Sequence, residues 1–374
     1  MTPRGPVLAI AHQIGAARAV GPVIEALRRR GENVIAIASD LAVTAFEEQC
    51  IQFFAMNVRP ESAAQLAAEQ LDQSRPAVVL SGTSAGVTLE KAVVAAANRG
   101  GIPTIGILDH WSNYSSRFEG PSGIRHYFPA LLAVMDETAR RDLLALHYPA
   151  DAIAVTGHPA FDALISFAKE DRVAMRRRLG VSHGEKLVIF ASEPQRRDHG
   201  SSLGYDEMDA LKILLDVLSD MPKPRPRLII KPHPTESPTD LQLLARAYCG
   251  VWSVVTDVHP RTLMLAADVV VGMTSLFLVE AALLGTPAVS VQPNLVGEDR
   301  FIGNRLGVTH AAGSRESCRS RLLELFSNHD RERTAATARR ALGVDGGAAE
   351  RVAKLLSTRM QPDYSHSNSP IWSV

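Results

Sequence analysis

Short apolar runs alternate with amphipathic runs along almost the whole chain. In the first half the apolar runs are Val7–Ala11, Asn33–Ala38, Gln52–Ala55, Ala77–Ser81, Thr104–Leu108 and Leu131–Val134. Near-continuous hydrophobic runs of this length read as strands buried on both faces. Between them, Ala17–Arg30, Ala63–Leu71 and Thr88–Arg99 carry apolar residues at helical spacing. The rhythm pauses at Val155-Thr156-Gly157-His158-Pro159 and then restarts. Strands are predicted at Lys186–Ala191, Arg227–Lys231, Val251–Thr256, Val269–Gly272 and Ala288–Val291. Helices are predicted at Ala174–Leu179, Met208–Leu218, Leu241–Tyr248, Leu276–Leu284, Ser317–Phe326 and Gly347–Leu356. This is the βα alternation of parallel sheets with helices on both faces. Two doubly wound α/β domains fit better than one large sheet. The reading divides the chain into residues 1–158, residues 159–358, and a polar tail, 359–374, expected to be disordered.

Composition narrows the function classes. The 374 residues suit two domains. Lys+Arg and Asp+Glu balance at 40 each, which leaves no electrostatic footprint for nucleic acid. The runs Arg28-Arg29-Arg30 and Arg176-Arg177-Arg178 sit near predicted helix C-termini, where solvated cations favour the dipole. Three cysteines without metal-like spacing suggest a reducing, cytoplasmic setting. No apolar stretch approaches a membrane span, which leaves peripheral association open. Oligomeric state is not legible.

In open α/β sheets ligands sit beyond the carboxyl ends of the strands, so those loops hold the candidate chemistry. The richest segment runs from Met273 to Val291. Thr274 and Ser275 follow a strand and start a helix, where hydroxyls and unpaired amides could hold a phosphate. Glu280 lies further along, where a carboxylate can accept ribose hydroxyls. An ordinary βαβ unit with a Ser/Thr cap explains the same residues. Lys231-Pro232-His233-Pro234-Thr235-Glu236 follows another strand. Its prolines stiffen the turn, and Lys231 with His233 suits a phosphate leaving group, His233 donating a proton or hydrogen bond. Ser192 and Arg196, Thr256 and His259, and Gln292 close other strands on the same edge as further donor contacts.

In the first half, His12 and Gly15 follow the first strand, and Thr83 and Ser84 follow the fourth. Both loops suit close approach of a sugar; tight capped turns explain them equally well. Asp109-His110-Trp111-Ser112-Asn113-Tyr114-Ser115-Ser116-Arg117 gathers reactive and aromatic groups. Trp111, Tyr114 and Arg117 are read as acceptor contacts. For the general base, Asp109 comes first, His110 second and His12 third. No Asp-x-Asp pair is present to hold Mg²⁺ on a diphosphate, so neither metal nor cofactor is expected.

These motifs together resemble the GT-B superfamily of nucleotide-sugar enzymes over roughly residues 7–310. The resemblance implies two facing Rossmann-like domains with the nucleotide-sugar in the cleft between them. The segment Pro76 to Asp109 resembles the first domain of UDP-N-acetylglucosamine 2-epimerases. Val155-Thr156-Gly157-His158-Pro159 with Asp162 resembles the Val-Thr-Gly-Asn-Pro hinge found there. Thr274-Ser275 through Gly285-Thr286-Pro287 is similar to the superfamily's donor-phosphate and ribose segment. The epimerases place Gly-Asp-Thr at Ser81-Gly82-Thr83, His-Val-Glu-Ala-Gly at Leu108–Ser112, and Glu-Glu at Val279-Glu280, so their acidic proton-transfer groups are missing. The Lys231–Pro234 turn with Thr274-Ser275 is similar to the His-Pro and Ser/Thr motifs of bacterial sialyltransferases, capsule polymerases and teichoic-acid glycerophosphotransferases. The resemblance implies an inverting, metal-independent glycosyltransferase using a nucleotide-activated donor and an unknown acceptor, in cell-surface glycan biosynthesis. The alternatives are an epimerase-type isomerase or hydrolase, a CDP-polyol phosphotransferase, and a nucleotide-sugar-binding protein without turnover.

Overall fold

The computed structural model describes residues 5–120, 123–167, 171–328 and 330–360. The expected tail from residue 361 onward lies outside these. The chain divides into two compact units, residues 1–163 with 344–374, and residues 164–343.

The first unit is built on one parallel sheet. Its strands are β1 (Val7–Ala11), β2 (Val34–Ala38), β3 (Phe54–Ala55), β4 (Val78–Ser81), β5 (Thr104–Ile107), β6 (Leu131–Val134) and β7 (Ile153–Val155). They lie in the order β3-β2-β1-β4-β5-β6-β7. The second unit has β8 (Leu187–Ala191), β9 (Arg227–Lys231), β10 (Trp252–Val254), β11 (Val269–Gly272), β12 (Ala288–Val291) and β13 (His310–Ala312). Their order is β10-β9-β8-β11-β12-β13. Every paired strand is parallel. Each sheet therefore reverses its winding once, between β1 and β4 and between β8 and β11. Such switch points open the crevices where doubly wound folds bind ligands.

Covered strands need apolar residues on both faces, and β1, β4, β5, β6, β8, β11 and β12 are buried throughout. Edge strands differ. β3 is two exposed residues, and β10 keeps only three of the expected Val251–Thr256. The sheets are covered by helices that include Ile14–Arg29, Leu89–Arg99, Glu207–Ser219 and Leu276–Leu283.

The division differs from the expected 159–358 at its far end. The last helix, Ala348–Arg359, returns to the first unit, where Ala349, Val352, Ala353 and Leu356 join its core. Asp162 Oδ2 accepts Ala349 N at 2.9 Å, and Arg351 Nε donates to Thr156 O at 2.7 Å. Gly157, at φ +86°, is required here, because a Cβ would lie 2.9 Å from Ala348 Cβ. Glu350 binds Arg29 at 3.1 Å and Arg30 at 2.9 Å, so that arginine run clamps the returning helix.

Arg176 also departs from a solvated reading. It donates to Ala266 O at 2.8 Å, to Asp268 Oδ2 at 3.1 Å and to Glu185 O. A cation against the last carbonyls of helix Pro260–Ala266 satisfies orphan acceptors and the dipole together.

Candidate active site

At the switch point of the second unit, β8, β9 and β11 end side by side. The β9 loop is wired to β8 through Glu236. Its carboxyl accepts Ser192 Oγ at 2.8 Å and His233 N at 3.0 Å. Arg197 braces the same loop through Thr235 Oγ1 at 2.8 Å. His233 is aimed by Thr235, whose amide donates to Nδ1 at 3.3 Å, with the Thr235 hydroxyl 2.8 Å away. An Nδ1 that accepts from an amide carries no proton, so the proton sits on Nε2. Burial, then the cations Lys231 and Arg197, lower the His233 pKa. His233 is thus a neutral imidazole presenting an Nε2–H, a hydrogen-bond donor more than a proton donor. Lys231 Nζ lies 5.9 Å from the Phe277 ring, against the first turn of helix Leu276–Leu283.

The β11 end corrects one expectation. Thr274 N and Oγ1 both donate to Glu193, each at 2.8 Å. Gln195 Nε2 completes the set, 2.9 Å from Thr274 Oγ1 and 3.1 Å from Glu193 Oε2. Thr274's donors are therefore committed to an internal carboxylate and not held out for a phosphate. Burial raises the Glu193 pKa, and the Thr274 bonds oppose that rise. Ser275 caps the helix by accepting Phe277 N at 3.2 Å, and its hydroxyl can still donate. Glu280 lies half-buried further along that helix.

The remaining donor-side residues divide. Arg196 is exposed and engaged with Asp206 at 2.6 Å, which removes it as a phosphate ligand as placed. His259 is an N-cap, accepting Arg261 N at 3.3 Å, so its imidazole serves helix Pro260–Ala266. Thr256 lies exposed beyond β10. Gln292 borders a pocket of about 230 Å3 with Ser290, Asn294, Asp299 and Gly313. Its amide is held by Tyr205 Oη at 3.1 Å, Ser290 Oγ at 2.9 Å and Asp299 Oδ1 at 3.1 Å.

The first unit gathers its expected residues around Asp109, but mostly inside. Arg117 donates to Asp109 Oδ1 at 2.5 Å, to Thr83 O at 2.7 Å and to Ser112 O at 3.0 Å. His158 Nε2 donates to Asp109 O at 3.1 Å, so the hinge histidine fixes the Asp109 backbone. Thr83 Oγ1 donates to Ile107 O at 3.1 Å, and Ser84 Oγ accepts Gln13 N at 3.2 Å. Gly15 is open for a reason other than a sugar: a Cβ there would sit 2.2 Å from Asp109 Oδ2.

Three further expectations are corrected. Trp111 is buried, bonded through Nε1 to Asp136 at 2.9 Å and packed on Phe161, so neither ring face is offered to a sugar. Tyr114 is buried beside Asp142, its hydroxyl 3.4 Å away. Burial, then Arg117, pushes the His110 pKa down to about 4, which leaves it a poor base near neutrality. His12 stays closer to a base's requirements. Its Nδ1 lies 2.9 Å from Ser39 Oγ and its Nε2 3.5 Å from Asp40, whose charge opposes the lowering caused by burial.

Glu193, Glu236 and Glu90 were not singled out from sequence. Each stands in or next to a turn signal and reads there as a capping or solvated acid. Among the described residues, no group of three or more His, Cys, Asp or Glu is arranged to hold a metal ion.

Residues 132–294 match the family model of CDP-glycerol:poly(glycerophosphate) glycerophosphotransferases. No curated protein matches the chain. Among solved structures, the UDP-GlcNAc 2-epimerase of Neisseria meningitidis, bound to UDP-GlcNAc, is similar at TM-score 0.71 and 15% identity, covering 94% of this chain and 100% of that one. The UDP-GlcNAc 2-epimerase of Methanocaldococcus jannaschii aligns at TM-score 0.69 and 14% identity, over 94% and 99%. A glycosyltransferase of Rickettsia africae aligns at TM-score 0.67 and 12% identity, over 96% and 99%. The fold is GT-B. At such identities the likeness carries the architecture, and activity has to be argued from the GT-B chain's own residues. Among the described residues no helix is long and apolar enough to cross a membrane.

Proposed function

We propose that this GT-B chain is a metal-independent transferase that moves a glycosyl group from a nucleotide-activated donor to an acceptor hydroxyl. The observation that carries the reading is the His233 turn: a neutral imidazole with its Nε2–H fixed by Thr235, beside Lys231, at a sheet switch point. The acceptor oxygen attacks the anomeric carbon, and the bond from that carbon to the nucleotide phosphate breaks. The electron pair stays on the phosphate oxygen. There the His233 Nε2–H, the Lys231 ammonium and the Ser275 hydroxyl meet the developing charge. The acceptor proton passes to a general base. Glu280 accepts the donor's ribose hydroxyls. We assign the reaction to a cytoplasmic step of cell-surface glycan assembly.

A second reading, transfer of a polyol phosphate from a CDP-linked donor, is supported by the family match over residues 132–294. The same groups then serve a displacement at phosphorus, and CMP leaves. The test is to incubate the protein with UDP-, CMP- and CDP-linked donors, with and without hydroxyl acceptors, and to identify the nucleotide released. A nucleoside diphosphate released from a UDP-sugar only with acceptor supports glycosyl transfer. CMP from a CDP-polyol, with phosphate retained in the product, supports the second reading. Release without acceptor points to epimerase-type hydrolysis, and reversible loss of activity in EDTA removes the metal-independent mechanism.

A further inference from the structure

The pocket at the carboxyl ends of β12 and β13 has no part in the proposed reaction. Ser290 and Gln292 line it from β12, Gly313 from β13, and Asn294, Leu295 and Asp299 from the loop between. A network fixes its polar groups. Asp299 accepts Gln292 Nε2 at 3.1 Å, Phe301 N at 3.0 Å and Asn304 Nδ2 at 2.7 Å. Tyr205 Oη donates to Gln292 Oε1 at 3.1 Å, and Thr309 Oγ1 to Asn304 Oδ1 at 2.6 Å. Groups held this way are aimed before a ligand arrives. Ser290 Oγ donates to Met273 O at 2.6 Å, so the pocket adjoins the strand end that carries Thr274 and Ser275.

The loop is fixed from its other side. Val296 N donates to Leu203 O at 3.0 Å. Gly204, at φ +80°, lies so close that a Cβ there would sit 2.2 Å from Asn294 O. Asn294 takes a left-handed backbone, φ +56°. Its exposed carboxamide makes no hydrogen bond among the described residues, so it offers both donors and acceptors. Asp299 Oδ2 accepts Asn304 alone among the described residues, which leaves it a lone pair.

Charge and size then select the ligand class. The one charge lining the pocket is the Asp299 carboxylate, and no cation lines it. A phosphate or carboxylate is therefore repelled, while a hydroxyl that donates to Asp299 is drawn in. Leu295 and Ala311 add apolar surface for C–H faces. The volume of about 230 Å3 falls below the roughly 300–1,000 Å3 of sites for drug-sized ligands. It has room for one small ring or chain and none for a nucleotide.

We propose that this pocket binds an uncharged, hydroxyl-rich group, one sugar ring or a short polyol, through Asp299 and Asn294. The donor's transferred part and the acceptor both present such hydroxyls. The pocket's place in turnover rests on the transferase reading; binding of the group does not.

Two variants of the full chain test it. At Gly313 a Cβ meets only Gln292 O, at 3.9 Å, and φ lies outside the left-handed region, so Gly313→Leu fills the pocket without backbone strain. Asn294→Gly keeps the left-handed backbone and strips the carboxamide, and it serves where the larger residue disturbs folding. The first arm is saturation-transfer NMR with methyl glucoside and with glycerol. Wild type should bind at least one of them, Gly313→Leu at least about tenfold more weakly and Asn294→Gly roughly three- to tenfold more weakly. No binding to wild type, or variants that bind as wild type does, overturns the proposal with or without turnover. The second arm is steady-state kinetics on whichever donor is turned over. A donor KM raised by about tenfold, with the Kd of the free nucleotide unmoved, assigns the pocket to the transferred group. A raised acceptor KM assigns it to the acceptor. Both KM values unchanged overturn its role in turnover. A protein that binds the probes but turns over no donor keeps the pocket and loses the transferase reading.

Discussion

Replacing Arg117 by Met removes the cation that pairs with Asp109 among the described residues. The two side chains are 9% and 12% exposed, so water cannot take the guanidinium's place. Breaking a buried pair from one side typically loses roughly 3–5 kcal/mol, because the remaining charge is stranded. The Thr83 carbonyl loses its 2.7 Å donor as well, which moves the expectation toward the upper end. At roughly 2–4 °C per kcal/mol for a unit of this size, its melting transition should fall by roughly 6–20 °C. Trp111 lies in the first unit and Trp252 in the second. Urea unfolding in a background with both Trp252→Phe and Trp372→Phe, which leaves Trp111 as the emitter, then follows the first unit. Adding Asp109→Asn to Arg117→Met removes the stranded charge and should recover part of the loss, giving a favourable coupling in the double-mutant cycle. A loss under roughly 1 kcal/mol, or no coupling, would falsify the view that Arg117 holds Asp109 in place.

His233→Ala should reduce turnover by roughly 10²–10³-fold, the usual effect of removing one fixed donor from a developing oxyanion. Nitrogen NMR of His233 at neutral pH should show the Nε2–H tautomer, and an Nδ1–H signal removes the Thr235 argument. Glu280→Ala should raise the donor KM in a folded protein, and an unchanged KM takes Glu280 out of the ribose site. His259→Ala should cost about 0.5–2 kcal/mol of second-unit stability, as lost caps do, with the donor KM unmoved. A raised KM there would return His259 to the site.

The two-sheet fold was legible because β1, β4, β5, β8, β9, β11 and β12 are interior strands, and covered parallel strands cannot avoid apolar runs. Elements with weaker demands were missed. β7 and β13 are short edge strands, and helix Arg331–Leu342 buries only Ala338 and Leu342 under a polar surface. The return of helix Ala348–Arg359 to the first unit left no local mark, since its partner positions, Gly157 and Asp162, are nearly two hundred residues away in sequence. Loop positions fared likewise. Residue type located Asp109, His233 and Ser275 at the carboxyl ends of strands. It could not tell an offered side chain from an engaged one. Trp111, Arg196, His259 and Thr274 look reactive in sequence, yet each is taken up by a partner that only the fold supplies: Asp136, Asp206, Arg261 N and Glu193.

That engagement follows a common plan in the two units. Each switch point brings a loop's backbone donors next to a glutamate, the buried Glu90 on Ser84 N in the first and the half-buried Glu193 on Thr274 in the second. A crevice rich in orphan amides attracts anions, and an internal carboxylate takes that role when no ligand does. The consequence differs between the units. Glu193 is paired on both oxygens, so it neutralises part of the helix terminus that a donor phosphate would otherwise use whole. On the proposed reading the phosphate must then be met by discrete groups, the Lys231 ammonium, the His233 N–H and the Ser275 hydroxyl. Glu90 has one oxygen without a partner among the described residues.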